Sequence, residues 1–401
     1  SRNNKRVLAS LLLWGIGEGL FFFIQAVFLE RLGANPVQVG FALALAQGAV
    51  LLSFLPAGWL SDRFDRKANM LGGYVLGAAA SFAMAIAHDW RSLVVGLVLY
   101  AISGFCIPAI TSYVAQEAAP RERNRILTTV FAGYSVGLVI SPAVGGWLAE
   151  QWSIQGVFVV SGLAFVLATL TVISVDRQPR PETPLAMRAA WQQLWQQPGV
   201  PRLAFLLALF FVAASLGMPL APNFLARAGY DLGDLGALGS VHAIGAVIWG
   251  LVLGRLDERG TRGLLLGGVA LALYAAVLVL VPPWPVVVVA FLVRGAFHAL
   301  RSVASARLAA GVPDTSLGLA FGLLSTILAG SLMVASWLAG LLFARGPTLP
   351  FLVSLAALPP VLLALWLNER RSRGVEEQGS RGDEPTYSPG ALPTGEDARS
   401  Y

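Results

Sequence analysis

Gly58-Trp59-Leu60-Ser61-Asp62-Arg63-Phe64-Asp65-Arg66-Lys67 closes one apolar run at Gly58 and precedes another that starts near Met70. Charges in so short a link between apolar runs belong at a membrane face, because an ionised side chain at the bilayer centre costs about 2.5–3.5 kcal/mol on insertion scales. An equivalent link, Gly254-Arg255-Leu256-Asp257-Glu258-Arg259-Gly260, joins two further apolar runs. The recurrence predicts two related halves.

Composition agrees with a membrane reading. The 401 residues are 56% hydrophobic and 12% charged, against about 25% charged in soluble domains. The apolar stretches are close to the ~20 residues that span a bilayer as a helix, and they lack the alternation of barrel strands. The predicted fold class is therefore an all-α integral membrane protein. Cys106 is the only cysteine, which excludes an internal disulfide and a cysteine-rich metal site. The net charge of +6 is carried mainly by arginines, with Lys5 and Lys67 the only lysines, and the basic residues sit mostly in the links between apolar runs, where topology explains them better than nucleic-acid binding does. The first run is too long for a typical signal peptide and is read as retained.

Twelve spans are predicted, near 7–29, 38–60, 69–88, 91–115, 126–149, 153–174, 201–223, 232–254, 263–281, 286–309, 315–343 and 348–367. Arg2, Lys5, Arg6, Arg63, Arg66, Lys67, the arginines of 121–125 and 177–202, and Arg255, Arg259, Arg262 and Arg307 fall on the side of the termini. Only Arg31, Arg91, Arg227 and Arg345 fall opposite. This asymmetry puts both termini in the cytoplasm, with the chain in a bacterial inner membrane. Residues 1–174 form a first six-helix half, 175–200 a proline-rich cytoplasmic linker with an interfacial helix at 185–197, 201–367 the second half, and 368–401 a disordered tail. Gly104 and Gly295 correspond in the fourth members of the two halves.

Several polar residues fall inside these spans. Glu18 is near the middle of the first, where an acid is either a protonatable or substrate-binding group on a polar pathway, or half of a structural ion pair. Arg294, His298 and Arg301 are separated by four and three residues in the tenth span, so one helical face presents all three. That face suits a substrate carboxylate or phosphate, compensates Glu18, or forms a structural network. His242 in the eighth span is a proton relay or a satisfied polar contact. Phe22, Gln25, Tyr100 and Phe211 provide a mixed aromatic and polar wall for an amphipathic molecule. None of the three histidines has metal-ligand spacing with another histidine or with the cysteine, and no P-loop or clustered nucleophile supports an enzyme.

These features resemble a major facilitator superfamily transporter. Gly58, Asp62, Arg63, Arg66 and Lys67 match the family's loop between spans two and three, with Asp65 where a glycine is usual. The resemblance implies that Asp62 and Arg63 lock helix ends in an outward-facing state. Gly137, Pro142, Gly145 and Gly146 resemble the family's fifth-span antiporter signature, with Ser141 replacing the glycine before proline. Tyr100 stands where the fourth-span signature of proton coupling has arginine, so coupling would fall to Glu18, with Arg294 its partner and His242 a relay. The resemblance also implies two six-helix halves with pseudo-twofold symmetry and a cavity lined by spans one, four, seven and ten. The expectation is a monomeric, cofactor-free, proton-coupled antiporter that exports a small amphipathic compound. The alternative is a symporter, facilitator or flippase for an organic anion, metabolite or lysolipid, and an integral membrane enzyme is more distant.

Overall fold

The computed structural model describes residues 2–63, 65–117, 122–178, 195–197, 199–256, 261–280, 283–309 and 317–382. Helices account for nearly all of them. In chain order they are α1 Arg2–Phe22, α2 Gln25–Arg31, α3 Pro36–Arg63, α4 Arg66–Ala85, α5 Trp90–Ser103, α6 Ile107–Gln116, α7 Arg123–Gln151 and α8 Ile154–Ile173. They continue with α9 Val200–Ser215, α10 Ala221–Arg227, α11 Leu232–Leu253, α12 Thr261–Val279, α13 Trp284–Arg294, α14 Ala296–Ala309, α15 Leu317–Arg345 and α16 Leu349–Gly382.

Ten of the spans so formed are long and apolar enough to cross a membrane, and α1 with α2, bent by 41°, makes an eleventh. The expected seventh span divides into the 16-residue α9 and the seven-residue α10. The count of long apolar spans among the described residues is therefore ten or eleven, where twelve were expected. The fourth and tenth expected spans also break, α5 from α6 at Gly104–Cys106 and α13 from α14 at Gly295, the two positions aligned between the halves.

Helix ends depart from the sequence boundaries where propagation outlasts the apolar run, since extending a helix fixes fewer torsions per hydrogen bond than starting one. Helix α3 runs through Gly58 to Arg63, so most of the expected loop is helical, and Asp65 caps α4 by accepting from Lys67 N at 3.0 Å. Helix α16 passes residue 368, the expected start of a disordered tail, and continues to Gly382. Beyond the apolar part Glu369 is held by Thr261 Oγ1 at 3.0 Å and by Arg307 at 2.8 Å, and Arg370 stacks on Trp366 at 3.7 Å. Residues 185–194 of the expected interfacial helix and 383–401 of the tail lie outside the described residues.

Among the described residues, helices α1 to α8 pack on one another, as do α9 to α16, and the two groups meet mainly at three places: α3 with α15, α7 with α11, and α2 with α10. All three meetings lie toward the face opposite Arg2. A Cβ on Gly40 would sit 2.6 Å from the Gly340 Cα, and one on Gly146 would sit 2.2 Å from the Leu232 carbonyl oxygen. Backbones this close require glycine. Nearby, Glu30 accepts from Asn223 Nδ2 at 2.6 Å and pairs with Arg227. Toward the other face Gly250, Gly322 and Gly330 meet nothing within 4 Å. Among the described residues, the two groups thus close on the far face and leave the face from which α1 starts open.

Candidate functional site: a central cavity with a buried arginine

The break between α1 and α2 determines what lines the centre. Phe22, Phe23 and Gln25 lie at or beside this turn, and with Gln47, His242, Arg294, Phe297, His298 and Ser336 they wall a cavity of about 160 Å³. Arg294 ends α13. It is fixed there because α13 and α14 break at Gly295 against α11, where a Cβ on Gly295 would lie 2.3 Å from Ala246 N and one on Gly245 would lie 2.1 Å from the Leu292 carbonyl oxygen.

Arg294 is 8% exposed. Its guanidinium carbon stands 5.1 Å from the Phe23 ring centre, 5.2 Å from Phe291 and 5.8 Å from Tyr274. Nε and Nη1 are buried without a hydrogen-bond acceptor, which leaves Nη2 as the nitrogen on the cavity side. Among the described residues no carboxylate pairs with it. Ring faces offset burial of a cation by about 0.5–2 kcal/mol each. A desolvated ion without a counter-ion still costs several kcal/mol. Beside it the His242 and His298 rings are 5.0 Å apart, Phe23 lies 5.5 Å from His242, and His242 Nδ1 also lacks a partner. The site is a cationic pocket with aromatic walls and amide ends.

Glu18 forms a separate cluster. Tyr134 Oη donates to its Oε2 at 2.7 Å. Trp14 stacks on Tyr100 at 6.0 Å. Glu18 is thus held by α7 and, among the described residues, forms no ion pair with Arg294, which sits against Phe23 and α11. Arg301 is exposed, on the other group of helices.

Other expected site residues take different places. Phe211 is fully buried, edge-on to Phe297 at 6.0 Å, and lies behind the cavity rather than on its wall. Arg66 donates to Gln116 and to Gln178, and Lys67 Nζ donates to the Ile173 carbonyl at 2.8 Å, so both tie α4 within its own helix group. The side chains of Gly58, Asp62 and Arg63 lie outside the described residues. The glycines of the fifth span divide by direction. Gly137 and Gly145 admit the α1 backbone, whereas Gly146 and Pro142 face α11 of the other group. There Ser240 Oγ accepts from Ala143 N at 3.1 Å. Sequence reasoning missed Phe23, Gln47 and Tyr134. A glutamine and a tyrosine inside apolar spans were visible signals, but Phe23 was indistinguishable from its neighbouring phenylalanines.

The family model of the Major Facilitator Superfamily matches residues 7–259 and 203–394. The chain belongs to that superfamily. It is a multi-pass membrane protein of a transporter superfamily. It is 27% identical over 315 residues to multidrug resistance protein MdtG of Serratia proteamaculans, covering 72% of this chain and 74% of that one. It is 23% identical to multidrug resistance protein 1 of Bacillus subtilis over 64% of this chain and 66% of that protein. It is 26% identical to the 4-hydroxybenzoate transporter PcaK of Acinetobacter baylyi over 40% of this chain and 35% of that protein. The chain thus spans less than two thirds of the length of several curated relatives it matches. Among solved structures, the nucleoside transporter NupG superposes with a TM-score of 0.77 at 12% identity, covering 91% of this chain and 99% of that one. That likeness concerns the fold. Among the described residues no group of His, Cys, Asp or Glu is arranged to hold a metal ion.

Proposed function

We propose that this superfamily member transports a small organic anion whose carboxylate serves as the counter-ion of Arg294. The observation that carries the reading is a buried guanidinium on a cavity wall with no acidic partner. A charge-assisted hydrogen bond to Nη2 would supply in the loaded state what the empty state lacks. Phe22 and Phe23 would pack on the apolar body of the ligand, and Gln25 and Gln47 would bond polar groups beside its carboxylate. The likeness to PcaK, a 4-hydroxybenzoate transporter, supports an aromatic carboxylate as one member of this class.

In this reading the ligand enters from the open face, taken as cytoplasmic from the charge asymmetry, and neutralises Arg294. Neutralisation allows the two groups to rock, parting the contacts of Gly40, Gly146 and Glu30 and closing the open face. The helix pair α9 and α10 acts as the twelfth crossing, and Asp62 and Arg63 act in the state closed on the cytoplasmic side. The anion reading replaces export of a generic amphipathic compound as the main function. Proton coupling through Glu18 is a second part of it, favoured by the carboxylate held by Tyr134 with no cation beside it among the described residues.

Flux of matched carboxylate and carboxamide pairs in proteoliposomes tests the proposal. Wild-type protein should carry the acids and not the amides, and Arg294→Gln should carry neither. Equal flux of acid and amide, or acid flux that survives Arg294→Gln, would reject anion transport through this site.

A further inference from the structure

The central cavity backs onto a second, almost wholly apolar space across one helix pair. Leu43 and Gln47 of α3 and Leu332 and Ser336 of α15 face the cavity. One residue further along each helix, Ala44, Gly48, Met333 and Trp337 line a groove of about 870 Å³ on the outside. This groove faces the hydrocarbon of the bilayer, for Leu52 is 66% and Trp337 48% exposed within spans that cross it. The lining residues of α3 run from Phe41 to Ser53, 12 rises of ~1.5 Å or about 18 Å of helix axis, comparable to an extended medium-length alkyl chain.

The wall between the two spaces is thin at one point. Helices α3 and α15 touch backbone to backbone at Gly40 and Gly340 and diverge from there toward the open face. Gly48 presents no side chain, and apart from its own helix only the Met333 thioether lies within 4 Å of where its Cβ would be, with Sδ at 3.1 Å. A thioether on three rotatable bonds is an adaptable plug. Beyond it, Gly330 meets nothing.

We infer that Gly48 and Met333 form a lateral portal through which the alkyl tail of an amphipathic carboxylate extends from the cavity into the lipid-facing groove while its head stays at Arg294. The inference rests on the anion reading and assigns the ligand class within it, straight-chain carboxylates longer than the cavity itself can hold. The head finds the unpaired guanidinium and the tail never has to enter water or a closed pocket. Met333 swings aside on binding. Fatty acids and single-chain lipids with an acidic head share this chemistry.

Equilibrium binding of radiolabelled hexanoate and dodecanoate to the full chain in nanodiscs, with empty nanodiscs subtracted, tests it. Each methylene moved from water to an apolar site strengthens binding by up to about fourfold. Wild-type protein should therefore bind dodecanoate at least tenfold more tightly than hexanoate. Gly48→Phe, which displaces only a flexible thioether, should reduce that ratio to about twofold or less, and Met333→Ala should raise it. Met333→Phe closes the portal from the other helix and serves if Gly48→Phe does not fold. An Arg294-dependent affinity with no preference for the longer chain, or a preference that survives both blocking variants, overturns the portal. A preference that responds to the blocking variants but not to Arg294→Gln retains the portal and overturns the anion reading. Binding of neither acid overturns both.

Discussion

Replacing Arg294 by methionine should make the empty protein more stable and abolish its function. The guanidinium is buried with Nε and Nη1 unpaired and no acidic neighbour among the described residues. Each unsatisfied buried polar group costs about 1–3 kcal/mol, so the two together cost roughly 2–6 kcal/mol. The faces of Phe23, Phe291 and Tyr274 offset an amount of the same order. The desolvation of the charge itself then stands without compensation, and removing it should yield about 1–4 kcal/mol, the range seen when buried ions are replaced by apolar groups. Methionine retains the aromatic packing through its flexible thioether. Thermal unfolding in detergent, with and without a saturating transported carboxylate, is the assay. Arg294→Met should melt above the empty wild-type protein and gain nothing from ligand, whereas the wild type should gain stability as ligand is added. A variant that melts lower than the empty wild type, or that still responds to the carboxylate, would refute the reasoning.

Glu18→Gln should remove the dependence of flux on an imposed proton gradient while leaving gradient-independent exchange, measured in proteoliposomes; unchanged gradient dependence would count against coupling at this carboxylate. Gly146→Leu brings a side chain onto the Leu232 carbonyl oxygen and should weaken closure of the far face by about 1–3 kcal/mol, seen as a roughly fivefold or greater rise in labelling of a cysteine placed beside Pro142. Glu30→Gln removes the charge partner of Arg227 in a half-exposed pair, so the same labelling should rise by less than about fivefold, as for pairs worth ~0.2–1 kcal/mol. Asp89, fully exposed outside the spans, is held below its ordinary carboxylate value of 3.8 mainly by accepting hydrogen bonds from Ser92. Because its folded-state value is depressed, its contribution to the start of α5 is full above 3.8 and is lost as pH falls through the lower folded-state value. Amide exchange at Ser92 should accelerate only in that acid window, and the acceleration should be absent in Asp89→Asn.

The sequence made local regularities readable and left their meetings in space hidden. Apolar run lengths located nearly every crossing, and the pairing of Gly104 with Gly295 marked the two spans that break. The divided span at α9 and α10 was not anticipated, because Pro222 and the small residues around it lie within an unbroken apolar run. Glu18 and Arg294 stood out as charges in apolar spans, but their separation did not, since Tyr134 lies 116 residues from Glu18 in sequence. Phe211 and Phe23 looked equivalent in sequence, and only the bend after α1 turns Phe23 toward Arg294. The helical spacing of Arg294, His298 and Arg301 was sound as geometry, yet Arg301 emerges exposed toward the open face while Arg294 is enclosed. Helix α16 outran its apolar segment because Glu369 finds Thr261 and Arg307, partners more than sixty residues away that no local pattern announces.

The central claim is that the substrate's acid group meets Arg294. A structure of the full chain with a transported, bromine-substituted carboxylate, the bromine located by anomalous scattering, tests it most directly. The account predicts the carboxylate within hydrogen-bonding distance of Arg294 Nη2 and the bromine on the side of Phe22 or the α3–α15 seam. A carboxylate bound elsewhere, with the Arg294 guanidinium still unpaired, would contradict it.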